Sequence, residues 1–263
     1  MQIEKQPLTQ VEIEDGFRNI GLRRGMFLEV HSSLSSLGYV EGGANTVICA
    51  LKNIIGEDGA IVMPAFPVSL PLPLSNIDRQ RGLTYKTKVY DEASDERSGM
   101  GIISDTFRQM PGVLTGKGIH RVSAWGRDAD KNSVGLNNLI NNDGHALLIG
   151  VDIYRLTSMH YVESRLPIEI RRAFEPSDEV RRFYPTDEWY IETGKPPVAA
   201  WYTIQNEAYQ RGMIRDGWVG KSKCMFFKVN DVIRLYEKAI ETDPFGLYGL
   251  NKTDVSRCIA GGA

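Results

Sequence analysis

The chain has 263 residues, of which 42% are hydrophobic and 24% charged, and its 31 basic and 33 acidic side chains give a formal net charge of -2. These values are typical of a soluble α/β protein with a sizeable core. They offer no overall positive field, so binding to nucleic acid or to an anionic membrane is not favoured.

The cysteines and histidines bear on the compartment and on metal binding. The 3 cysteines and 4 histidines lack the spacing of metal ligands, so no metal is expected. Widely spaced cysteines, odd in number, favour a reducing compartment. The N-terminal segment lacks a signal-peptide pattern, and no window is apolar enough to span a membrane. We therefore expect a cytoplasmic monomer or homodimer.

The first elements in chain order are a helix, a strand and a second helix. Apolar spacing from Thr9 to Leu22 predicts an amphipathic helix, with Thr9 and Glu12 forming its capping box. Residues 26–30 (MFLEV) predict a strand, and residues 44–55 have helical spacing.

The loop between that strand and helix is rich in serine and glycine. Small side chains let backbone N–H groups and hydroxyls approach a phosphate closely, and the helix N-terminus adds its dipole. A tight strand-to-helix connection that uses serine and glycine for turn geometry alone is an equally weighted alternative. The loop is not a P-loop, because no GK[ST] follows the glycines.

The next elements continue the alternation of strands and helices. Strands separated by helices or long crossovers predict an α/β fold with a mainly parallel, doubly wound sheet. A proline-rich loop in this region has the length of a lid or binding loop. The predicted elements are a strand at 60–63, the loop at 64–83, a helix at 101–110, an extended stretch at 115–126, a helix at 133–142 and a strand at 145–149.

The segment after that last strand contains the strongest candidate for catalysis. Gly150 ends the strand, and Thr157 or Ser158 can cap a helix that carries His160 and Glu163 three residues apart on one face. An imidazole beside a carboxylate at the carboxyl edge of a sheet suits a general base. A packed or surface histidine is the more common alternative for such a residue.

Beyond residue 167 the sequence becomes rich in charged and aromatic residues. Alternation near Trp189 predicts antiparallel strands at the edge of the core, which would bring Glu188 and Glu192 near the site. A solvated charged face is the commoner explanation for this acidic cluster. Helical spacing follows at 199–211 and 230–242, with a loop and then a strand between them at 217–229.

Seven segments together resemble the aminoglycoside 3-N-acetyltransferase family, in the family's order and over roughly residues 10–245. Ordered agreement of this length is much more specific than any single motif. The segments are VHSSLSSLGYVEGGANTVICAL at 30–51, GEDGAIVMPAF at 56–66, the stretch at 90–113, SAWG at 123–126, DGHALLIGV at 143–151, TSMHYVE at 157–163 and GWVGKS at 217–222.

The resemblance implies one α/β acetyltransferase domain over residues 1–263, with the sheet sandwiched by helices and a substrate-facing subregion at 168–200. It implies acetyl-CoA as the acyl donor and a small-molecule amine as the acceptor. His160 and Glu163 fall on the family's histidine motif, and Glu192 is the nearest match to a further carboxylate. The resemblance assigns the donor to His31, Ser32, Ser33, Ser35, Gly42 and Gly43, and we expect acceptor contacts from Tyr154, Asp91 and Glu188.

The chemistry suits these residue types. A protonated amine cannot attack a thioester, so a base must remove its proton, and an imidazole with an ordinary pKa near 6.5 can do so. His160 would be that base in a ternary complex, because no nucleophile elbow accompanies it.

The chain departs from the family pattern near Gly118, Tyr154 and Leu156. These positions fall where a polycationic amine would bind, so a different amine acceptor is an alternative. An amino-nucleotide or a surface-polysaccharide sugar is an example. A CoA-binding module without catalytic activity is a third reading, and the presence of His160 and Glu163 argues against it.

Overall fold

The computed structural model describes residues 6–67, 69–71, 76, 79, 85–89, 97–118, 120–163, 165–174, 189–193 and 195–251. The strands are β1 (Phe27–Ser32), β2 (Ala60–Pro64), β3 (Ser69–Pro71), β4 (Tyr85–Val89), β5 (Leu114–Thr115), β6 (Val122–Gly126), β7 (His145–Ile149), β8 (Trp189–Thr193), β9 (Arg215–Val219) and β10 (Ser222–Lys228). The α-helices are α1 (Gln10–Ile20), α2 (Ala44–Ile55), α3 (Ile102–Arg108), α4 (Ala129–Ser133), α5 (Asn137–Asn141), α6 (His160–Glu163), α7 (Ile168–Phe174), α8 (Lys195–Gln210), α9 (Val229–Thr242) and α10 (Pro244–Leu247).

The chain divides into two compact units. The first comprises Met1–Phe66, Arg97–Leu156 and Gly212–Asp231, and the second comprises Pro67–Glu96, Thr157–Arg211 and Val232–Ala263. None of the described helices has the length and apolar content that a membrane crossing needs.

The first unit contains a seven-stranded sheet with the order β5-β6-β2-β1-β7-β10-β9. β1 pairs in parallel with β2 and with β7, as the crossover helices require. The four other pairings are antiparallel, so the sheet is mixed and the expectation of a mainly parallel sheet was wrong. Hairpins cause the difference: β5–β6 is added at one edge and β9–β10 at the other.

One face of this sheet packs against α1, α2 and α3. Alternate residues of the parallel strands, such as Leu28, Ile61 and Leu147, are fully buried there. Helix α1 begins as expected: Thr9 accepts from the backbone N–H of Glu12, and Glu12 bonds back to Thr9. α4 and α5 contact β6, β2 and β1 without joining that core. The three central strands are thereby fixed, with their carboxyl ends at one edge.

Two further expectations need correction. The stretch at 217–229 was expected to begin as a loop, but residues 215–219 form strand β9, which is mostly exposed at the sheet edge and therefore has no apolar run. The single helix expected at 133–142 is two short helices, α4 and α5.

The second unit contains its own three-stranded antiparallel sheet with the order β3-β4-β8. Strand β3 lies within the stretch expected to be an irregular loop, and much of the rest of that stretch lies outside the described residues. β8 was expected at the edge of the main sheet, but it pairs with β4 in this smaller sheet. The unit also contains α6, which carries His160 and Glu163.

Candidate active site

A cavity of about 750 Å³ lies within the first unit, where the three parallel strands end. His31 and Ser32 from β1, Pro64 from β2 and Gly150 after β7 all line it. In α/β sheets, ligands bind at the carboxyl ends of strands where the strand order reverses, and β1 is flanked by β2 and β7 at such a point. The fold therefore places this cavity where a substrate is expected.

The serine-rich turn after β1 forms one wall of the cavity. Ser32, Ser33 and Ser35 line it, and residues 34–37 form a short 3-10 helix. The hydroxyls of Ser33 and Ser35 lie 3.1 Å apart, while Ser36 donates to the Ser33 carbonyl at 2.6 Å. The Ser32 hydroxyl is buried and has no hydrogen-bond partner among the described residues. A buried hydroxyl without a partner costs free energy, so a ligand atom that bonds to it would be stabilised.

The turn is fixed from behind by a glycine and a second hydroxyl. Ser36 Oγ lies 2.8 Å from Ser222 Oγ at the start of β10. Gly150 has a φ of 63°, and a Cβ there would lie 2.0 Å from Ser36 Oγ. Only glycine fits this close approach.

The start of α2 forms another part of the wall. Gly43 lines the cavity and is the N-cap residue, so it supplies no side-chain acceptor to the first turn of the helix. Gly42, with a φ of 73°, bends the chain just before it but does not line the cavity. Uncapped N–H groups and the helix dipole favour an anion at such an end.

A buried ionisable pair lies behind the cavity on the central strand. Glu29 is 1% exposed and His31 is 4% exposed, and His31 Nε2 lies 2.8 Å from Glu29 Oε1. Burying a carboxylate costs several kcal/mol unless it is paired, so the imidazole offsets part of that cost. The contact also fixes the orientation of the His31 ring at the cavity wall.

The second unit carries the other candidate pair. His160 Nδ1 lies 2.6 Å from Glu163 Oε2, and their side chains are 26% and 21% exposed. Because a carboxylate can only accept, this contact favours a proton on Nδ1 and a lone pair on Nε2. An imidazole oriented in this way can accept a proton at Nε2, while the carboxylate stabilises the imidazolium that results.

Aromatic side chains hold this pair from the interior of the second unit. The Trp201 ring meets His160 edge-on, with centroids 5.1 Å apart. Trp201 donates its indole N–H to the Tyr236 hydroxyl at 3.2 Å, and the hydroxyls of Tyr236 and Tyr248 bond to each other. Burial first, and the charge of Glu163 second, raise the pKa of Tyr236, so it stays a neutral hydrogen-bonding group.

The structure brings together most of the residues predicted at the donor site. The cavity described above is lined by five of them, His31, Ser32, Ser33, Ser35 and Gly43, and also by Tyr154, which was expected to contact the acceptor. Thr157 and Ser158 form a 3-10 turn before α6 rather than capping it from outside. Glu192 lies on β8, and Asp91 and Glu188 lie outside the described residues.

Sequence reasoning missed Glu29, Arg155 and Trp201. Glu29 interrupts an apolar strand, and that interruption was the available signal. Arg155 and Trp201 gave no signal in the sequence. Arg155 reaches the cavity through the turn after β7, and Trp201 comes from a distant helix. Within the described part of the chain, no group of three or more His, Cys, Asp or Glu side chains could hold a metal ion.

The sequence model of the aminoglycoside 3-N-acetyltransferase family matches residues 30–241. The chain belongs to this family. It is therefore an acyltransferase of the aminoglycoside 3-N-acetyltransferase type, and the resemblance stated from its sequence segments is confirmed.

Other members of the family match over most of their length. The SPbeta prophage-derived aminoglycoside N(3')-acetyltransferase-like protein YokD of Bacillus subtilis is 28% identical, over 88% of this chain and 92% of its own. Aminoglycoside N(3)-acetyltransferase III of Acinetobacter baumannii is 27% identical, over 86% and 88%. The solved structure of AAC-IIIb as a binary complex with CoASH shares the fold, with a TM-score of 0.66 and 17% identity over 89% of this chain and 96% of that one.

Proposed function

We propose that the chain transfers the acetyl group of acetyl-CoA to an amine of an aminoglycoside or a related amino sugar. The observation that carries the proposal is the His160–Glu163 contact of 2.6 Å in a partly exposed position. In this contact Glu163 orients the imidazole of His160 through Nδ1, and the side chain of His160 is partly accessible to solvent. The family's activity and the CoASH complex of a structural relative support acetyl-CoA as the donor.

In this proposal the serine turn holds the acyl donor. The buried Ser32 hydroxyl and backbone N–H groups of the turn would receive the oxygen of the thioester as it gains negative charge. The uncapped start of α2 would face an anionic group of the donor. The proposed donor site also includes His31, Ser33, Ser35, Gly42 and Gly43.

His160 would take the proton from the amine as its nitrogen attacks the thioester carbon. The carbon–sulfur bond then breaks, and CoA leaves as the thiolate or thiol. Glu163 would stabilise the imidazolium, and we propose Glu192 as a second carboxylate for this role. The proposal needs no acyl-enzyme, so the acetyl group passes directly from the donor to the acceptor within a ternary complex.

The acceptor is proposed to contact Tyr154, Asp91 and Glu188. A different amine acceptor is favoured by one observation: Leu156, at a position where the family has a polar residue, is fully buried and offers no group to a polycationic sugar. Aminoglycosides and other amino sugars, including nucleotide-linked ones, should therefore be tested side by side.

The test is mass-spectrometric detection of acetylated product with acetyl-CoA and this panel of amines. General-base catalysis contributes about 10²–10⁴-fold, so His160→Ala should lose at least about 100-fold in kcat. His120→Ala is the matched control, because His120 is exposed and does not line the cavity. An active His160→Ala protein would refute the base assignment, and CoA binding without turnover of any amine would refute the activity.

A further inference from the structure

Arg155 is a cation at the cavity for which the proposed function gives no role. It ends the short 3-10 helix Ile153–Arg155 after β7 and lines the cavity. None of the described lining residues is Asp or Glu, so no carboxylate in that lining faces it. Arg155 is exposed and forms no ion pair with the described residues. An unpaired guanidinium at a cavity wall is available to an anionic ligand.

The guanidinium of Arg155 contacts the ring of its neighbour. Its guanidinium carbon lies 4.8 Å from the centre of the Tyr154 ring, within the range of a cation–π contact. This contact restrains the guanidinium without using its N–H donors in hydrogen bonds. Less rotamer entropy is then lost when a ligand binds.

A second cation, Lys221, lies beside a wall residue of the same cavity, in the turn of the hairpin β9–β10. The stem of Lys221 lies 3.4–3.7 Å from the point that a Cβ on Gly38 would occupy, and Gly38 lines the cavity. Lys221 is exposed and also forms no ion pair with the described residues. The cavity therefore has one cation and the uncapped start of α2 in its wall, a second cation beside Gly38, and no acidic side chain in its described lining.

We infer that Arg155, held on Tyr154 and assisted by Lys221, binds a phosphate group of a substrate. The planar guanidinium can bond to two oxygens of a phosphate at once. A neutral sugar or an amine offers no such pair of anionic oxygens, so phosphate is the better fit. The phosphate can belong to the acyl donor or to a phosphorylated amino sugar. The donor assignment rests on the proposed function, whereas the binding of phosphate does not.

The experiment is isothermal titration calorimetry on Arg155→Gln and wild type, without any turnover. The probes are CoA, pantetheine (the same thiol without phosphates), glucosamine 6-phosphate and glucosamine. Arg155→Gln should weaken the binding of one phosphorylated probe about tenfold and leave its phosphate-free counterpart within about twofold. Loss for CoA assigns the donor as the source, and loss for glucosamine 6-phosphate assigns the acceptor.

Matched variants separate this role from folding. Arg155→Lys keeps the charge without the planar fork and should recover part of the affinity, and Lys221→Gln should show the same pattern with a smaller loss. Arg127→Gln is the control, because Arg127 is also exposed and also makes a cation–π contact, with the ring of Phe27, but does not line the cavity.

The inference is overturned if Arg155→Gln binds all four probes as wild type does, or weakens phosphorylated and phosphate-free probes equally. Should wild type bind no CoA at all, the donor of the proposed function fails. In that case the binding of inorganic pyrophosphate to wild type and to Arg155→Gln tests the inference separately. Weaker binding to Arg155→Gln is expected, and equal binding to both proteins would overturn the inference.

Discussion

Replacing Glu163 by glutamine tests the role of the carboxylate beside His160. The change keeps the size of the side chain and its ability to accept through the amide oxygen, but it removes the negative charge. If His160 becomes an imidazolium in the transition state, the loss appears in kcat and hardly in the KM of either substrate.

The size of the effect follows from the geometry. A hydrogen bond to a charged group contributes about 1.5–3 kcal/mol, and the contact between Glu163 and His160 is short at 2.6 Å. The two side chains are 21% and 26% exposed, so solvent screening reduces the value to the lower half of that range, about 1.5–2 kcal/mol. We expect kcat to fall about 10- to 30-fold, since about 1.4 kcal/mol corresponds to tenfold.

The assay is steady-state acetyl transfer at saturating acetyl-CoA, with thermal unfolding measured in parallel. Glu237→Gln is the matched control, because Glu237 belongs to the same unit and pairs with Arg165 rather than with His160. The double variant of His160→Ala and Glu163→Gln should be no slower than His160→Ala alone, since the carboxylate acts through the imidazole. Unchanged kcat in Glu163→Gln, or losses that add in the double variant, would refute the reasoning.

Two further predictions concern stability. A Cβ on Gly217 of β9 would lie 2.2 Å from a side-chain carbon of Ile20 in α1. Gly217→Ala should therefore lower the free energy of unfolding, measured by urea titration, by about 1–3 kcal/mol. An unchanged urea midpoint would contradict this packing. Burial lowers the pKa of His145, which stacks on Phe226 at 5.1 Å. The unfolded chain therefore binds a proton near pH 6.5 that the folded chain binds less readily, and the stability present above that pH is lost as pH falls. His145→Gln should lose less stability than wild type between about pH 7 and pH 5, and equal slopes would exclude this role for His145.

Local sequence signals predicted the elements that local physics controls. The capping box at Thr9 and Glu12 marked the start of α1, and an apolar run marked β7. Strand β9 gave no such signal, because it is the last strand of the described seven-stranded sheet and most of its side chains are exposed. The mixed character of the sheet depends on such edge strands and therefore could not be predicted from hydrophobic periodicity.

The candidate site divides in the same way. The serine turn was predictable, since small residues directly after a buried strand are a local pattern. The partners of helix α6 were not predictable: Trp201 and Tyr236 are separated from His160 by about forty and about seventy-five positions in the sequence. Their hydrogen bond joins α8 to α9, and helical spacing alone showed only that each residue faces a core.

The proposals assign different steps of one reaction to residues of different units. Among the described residues, those that line the cavity all belong to the first unit, whereas His160, Glu163 and the aromatic residues behind them belong to the second. Binding of a phosphate at Arg155 and removal of a proton at His160 therefore depend on separate sets of contacts within each unit. A change at Arg155 should appear in the affinity for a phosphorylated substrate, and a change at Glu163 should appear in kcat. The two measurements thus report on binding and on chemistry independently, which allows each proposal to fail without the other.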